Sequence, residues 1–71
     1  MNHDCQLIKL HLAFRKFRNA GLREGQSWFN ALFEVDPKVA TKITGTAADP
    51  FQQDSNMNLF WEVVHREWGI T

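Results

Sequence analysis

Between Cys5 and Asn19, large apolar residues recur at Leu7, Leu10, Phe14 and Phe17, in alternating steps of three and four. At about 3.6 residues per turn this spacing puts all four on one face, so it predicts a helix over 5–19. Asp4 is suited to cap its start. Asn19-Ala20-Gly21 is suited to stop it, because glycine accepts the left-handed conformation that closes a helix. Ile8 and Leu12 lie one turn apart, off this stripe. They need a covering partner or must accept water.

A second helix is expected to begin near 22–25 and to end at Val35, with Trp28, Phe29, Leu32 and Val35 inward. Gly25 costs about 1 kcal/mol against alanine in a helix, so its use there implies the close approach of another backbone. Asp36-Pro37 reads as a restart: aspartate caps a new helix, and proline at the first position loses no intrahelical N–H bond. Val39, Ala40 and Ile43 face inward over two turns, and Gly45 ends the run. The extended loop from Gly45 to Asp54 follows. In it Asp49-Pro50 favours a turn, and Phe51 is expected to fill a core gap. Asp54 or Ser55 should cap the last helix, whose inward stripe is Met57, Phe60, Trp61, Val64 and Trp68. Leu59 and Val63 form a second apolar pair off the stripe.

These elements predict an all-α fold, a small bundle of three to four short helices in a single helical domain over 1–71. Fraying is expected only at 1–3 and 69–71. Phe60, Trp61, Val64 and Trp68 should pack against Phe14, Phe17, Trp28 and Leu32, so Phe14→Ala is expected to cost about 3–5 kcal/mol.

A chain of 71 residues sits where one hydrophobic core is marginal without reinforcement. The single cysteine, Cys5, excludes an internal disulfide and suits a reducing, cytoplasmic setting. Six Phe and three Trp supply aromatic bulk instead. No apolar run approaches the roughly 20 residues that span a bilayer, so no membrane association is expected. Self-association is another way to reinforce so short a chain. A homodimer is expected in which Ile8/Leu12 or Leu59/Val63 crosses a two-fold axis, unless the loops fold over these pairs.

Net charge is zero, but residues 1–23 hold Lys9, Arg15, Lys16, Arg18 and Arg23 against Asp4 alone. The remainder is correspondingly acidic. These five cations form a candidate nucleic-acid face, or simply the solvated side of a helix. No zinc-finger, homeodomain or RNA-recognition signature accompanies them, so nucleic acid is the weaker expectation.

Motifs for catalysis and ligation are sparse. Glu62 and His65 form one E-x-x-H pair, whereas di-iron bundles need two such pairs and two more carboxylates. Asp54-Ser55-Asn56-Met57-Asn58 begins like a calcium loop, but Leu59 stands where the turn needs glycine and His65 where a bidentate glutamate belongs. His3, Asp4 and Cys5 lie at a terminus. Ser27 and Ser55 fall in no nucleophile motif, and phosphate-cradling glycine patterns are missing. The expectation is a protein that is not an enzyme and takes no metal or cofactor.

The string Arg23-Glu24-Gly25-Gln26-Ser27-Trp28-Phe29-Asn30-Ala31-Leu32, then Pro37, Ile43-Thr44-Gly45-Thr46, Asp49-Pro50-Phe51 and Phe60, resembles a family of short bacteriophage and bacterial proteins. Their pattern is R-x-G-Q-x-x-F-N-A-L, P, then G-T-x-x-D-P-F. The similarity covers about two-thirds of the chain and leaves out most of the first helix. Gln52 departs from it, since a tyrosine often follows D-P-F in that family. The resemblance implies a phage or mobile-element origin and no activity. The expected function is that of a small accessory protein that binds and modulates a host or phage protein. Ile8, Leu12, Leu59 and Val63 are its candidate interface. Thr46 and Asp49 are either a functional loop or a structural one.

Overall fold

The computed structural model describes residues 3–51 and 54–69, and these are all-α. Four α-helices follow in order: α1 over His3–Asn19, α2 over Glu24–Val35, α3 over Pro37–Ile43 and α4 over Met57–Trp68. A single 3-10 turn, Asp54–Asn56, precedes α4. The first helix begins at His3, so Asp4 lies within it. Expectations for Met1, Asn2, Gln52, Gln53, Ile70 and Thr71 fall outside the described residues.

α1 closes as its sequence requires. Gly21 adopts φ +96°, its N–H reaches the Arg18 carbonyl at 3.0 Å, and the Leu22 N–H reaches back to Phe17 at 3.3 Å. Both bonds satisfy carbonyls that the helix end leaves without partners.

Asp36 joins three helices. Its N–H closes α2 on the Leu32 carbonyl at 2.7 Å, and its Oδ1 accepts from Val39 N at 3.3 Å to cap α3. Its Oδ2 accepts the indole N–H of Trp68 at 2.8 Å, which ties the end of α4 to the α2–α3 corner.

The core is one cluster. Leu10 and Ala13 come from α1, Phe29, Ala31 and Leu32 from α2, Val39, Ala40 and Ile43 from α3, and Phe60, Val64 and Trp68 from α4. Ala48 of the loop completes it. Phe14, Phe17 and Trp28, expected at its centre, are half-buried at its edge. The small residues Ala13 of α1 and Ala31 of α2 are the more deeply buried.

The described loop residues Pro50 and Phe51, together with Asp54, meet the start of α2. Gly25 is buried, and a methyl group added to it would overlap both the Pro50 carbonyl oxygen and Asp54 Oδ1. The close approach implied by a glycine inside the helix is therefore real. Asp54 does not cap α4: its Oδ1 accepts from Gly25 N at 2.9 Å and from the Arg23 guanidinium at 2.9 Å. Negative charge belongs there, because helix N-termini present free N–H groups and a positive dipole end. Asn56 occupies the cap position of α4 without a side-chain bond to that helix, and its amide instead donates to the Asp49 carbonyl at 2.8 Å.

Candidate protein-interaction surface

The faces of α1 diverge because its sequence carries two stripes. Leu7, Leu10, Phe14 and Phe17 turn to the core, while Cys5, Ile8, Leu12 and Arg15 recur in steps of three, four and three on the side facing away. Ile8 and Leu12 are each 60% exposed. Among the described residues, no loop covers them. Their apolar surface abuts two open clefts that meet at Leu12. One, of about 480 Å³, is lined by Lys9, Leu12, Ala13, Lys16, Glu34 and Val35. The other, of about 370 Å³, is lined by Leu7, Ile8, His11, Leu12 and Arg15.

The second expected pair does not match the first. Leu59 is 44% exposed, but Val63 is only half-exposed and packs against the core cluster. Val63 is thus a peripheral core residue, and Leu59 stands without it.

The candidate basic face is divided by internal partners. Lys16 pairs with Glu34 of α2, and Arg18 donates to the Leu22 carbonyl at 2.6 Å. Arg23 binds Asp54 at 2.9 Å and the Phe51 carbonyl at 2.6 Å. Among the described residues, Lys9 and Arg15 alone of the five form no ion pair or hydrogen bond with the rest of the chain. They stand three residues either side of Leu12, on opposite flanks of the exposed ridge.

Thr46 and Asp49 are spent inside their own loop. The buried Asp49 carboxylate accepts from Gly45 N and Phe51 N, each at 2.9 Å. The Thr46 hydroxyl donates to the Ile43 carbonyl at 2.6 Å and accepts from Ala48 N at 3.2 Å. Gly45, at φ +77°, supplies the left-handed turn that aims its N–H at Asp49. These bonds hold the loop in its own conformation.

Phe51 does not fill the core. It is 37% exposed and meets Phe29 edge-on at 5.8 Å, while Ala48, Asp49 and Pro50 are the buried residues of the described loop. With Phe33, 45% exposed and 6.0 Å from Phe29, it forms an aromatic corner absent from the expected interface. The available signal was Phe33 itself, a large apolar residue left over from the inward set Trp28, Phe29, Leu32 and Val35.

Two of the histidines join aromatic side chains. His11 meets Trp28 at 5.2 Å and His65 meets Trp61 at 5.9 Å, around a Trp28–Trp61 contact of 4.8 Å. Among the described residues, no three His, Cys, Asp or Glu side chains gather as metal ligands would. No helix among them is long and apolar enough to cross a membrane. In comparisons with protein-family models, curated proteins and solved structures, none matches this chain.

Proposed function

We infer that this is a small non-enzymatic accessory protein that docks on a partner protein through the outward face of α1. The exposure of both Ile8 and Leu12, one turn apart on an ordered helix, carries this reading. Single exposed apolar residues are ordinary, but a paired ridge between clefts with a charged rim has the anatomy of an interface. The internal engagement of Asp49, Asp54 and Asp36 supports a structural role for these acids, and the exposed free thiol of Cys5 suits a cytoplasmic setting. The resemblance over residues 23–51 supports a phage or mobile-element origin, with a host or phage protein as partner.

A second reading, nucleic-acid binding, draws on Lys9 and Arg15, whose charges are free for phosphate. It is weakened by the internal partners of Lys16, Arg18 and Arg23.

Capture of the tagged protein from its host cell, with and without nuclease, tests the choice. A protein retained after nuclease and lost on Leu12→Glu is the expected result. Loss on nuclease treatment with Leu12→Glu silent would overturn it in favour of nucleic acid.

A further inference from the structure

We propose that the outward face of α1 receives an acidic amphipathic helix of the partner protein, an apolar ridge flanked on both sides by Asp or Glu. The proposal rests on the reading of this face as a docking surface and adds the chemistry of what docks there.

Three observations carry it. The outward stripe Cys5, Ile8, Leu12, Arg15 has the three-four-three spacing of a helix-packing seam, which matches another helix better than an extended strand. The clefts beside Leu12 are open and lie one on each side of it, where side chains of a crossing helix would seat. Among the described residues the unpaired rim charge is positive: Lys9 borders one cleft and Arg15 the other, both exposed and without internal partners. Glu34, across the first cleft, is already paired with Lys16.

That charge pattern selects among occupants. A second copy offering the same face would set cations against cations, a repulsion that self-complementary interfaces avoid. An anionic bilayer would welcome the cations, but two exposed aliphatic side chains insert too little apolar area to hold a folded domain on a membrane. A helix with apolar knobs and acidic flanks satisfies ridge, clefts and charge together.

The test uses the full chain and two synthetic helical peptides that share a leucine ridge, one flanked by glutamates and one by lysines. The Glu-flanked peptide is expected to bind about tenfold more tightly at roughly 50 mM salt, because two rim contacts turn from repulsive to attractive. Amide shifts should centre on residues 5–16. The Lys9→Glu/Arg15→Glu double variant should reverse the preference, and Leu12→Glu should abolish binding of both peptides. Equal binding of the two peptides, or a preference that survives the double charge reversal, overturns the acidic assignment while the docking face stands. Binding of neither peptide, with either retention on phosphatidylglycerol vesicles or a dimer in sedimentation that Leu12→Glu dissolves, overturns it in favour of those occupants. If Leu12→Glu changes neither peptide binding nor cellular capture, the docking face itself is wrong.

Discussion

Gly25 sets two effects of opposite sign against each other. In an isolated helix, Gly25→Ala would stabilise by about 1 kcal/mol. Here the added methyl meets the Pro50 carbonyl and the Asp54 carboxylate, and a backbone oxygen cannot swing aside as a side chain would. Overpacking of this kind costs about 1–3 kcal/mol, so the clash wins and the variant should melt at lower urea concentration with an unchanged slope. A more stable Gly25→Ala would show that the loop is not held against α2. Asp36 combines a helix cap with the Trp68 indole bond, each worth about 1 kcal/mol or more, so Asp36→Ala should cost about 2–3 kcal/mol and shift Trp68 fluorescence.

At the scale of elements, α1 serves two surfaces, and substitutions on them should separate cleanly. Leu12→Glu changes an exposed position and should leave stability within about 0.5 kcal/mol. Phe60→Ala empties a fully buried site where α4 enters the core and should cost about 3–5 kcal/mol, enough to unfold a domain this small. Phe14→Ala belongs between them. Its ring is half-buried and stacked on Trp28 with centroids 3.8 Å apart, so part of its contact is made at the protein surface. Thermal melts followed by circular dichroism should rank the three as Leu12→Glu, Phe14→Ala, Phe60→Ala in rising cost. A Phe14 loss equal to that of Phe60 would mean that the ring is a true core residue.

For the whole molecule, the question is how many of the five cations of residues 1–23 face outward unpaired. If nucleic acid binds at all, Lys9 and Arg15 can neutralise about two phosphates, giving a log–log salt slope near −2. All five basic residues acting together would give about −4.5. A slope near that larger value would show that Lys16, Arg18 and Arg23 leave Glu34, the Leu22 carbonyl and Asp54. The α1 face would then have to be read as a nucleic-acid surface.

What was legible in the sequence is local. Steps of three and four marked the four α-helices, Asp36-Pro37 marked a cap and restart, and Gly21 and Gly45 marked helix ends, because each effect acts within one or two turns of chain. The buried Phe60, Val64 and Trp68 of α4 follow from the same periodicity, which also set Ile8 and Leu12 off the inward stripe of α1 without deciding whether anything covers them. Gly25 was half legible: its cost announced a close approach but not the identity of what approaches. Tertiary structure decided which residues answer each other across the chain. Asp54 leaves its own helix to cap α2, Trp68 reaches Asp36, Val63 joins the core while Leu59 does not, and Lys16, Arg18 and Arg23 spend their charge internally. Periodicity assigns a side chain to a face of its own helix. Only the packing of one helix on another fixes which faces meet, and therefore which charges and apolar groups remain for a partner.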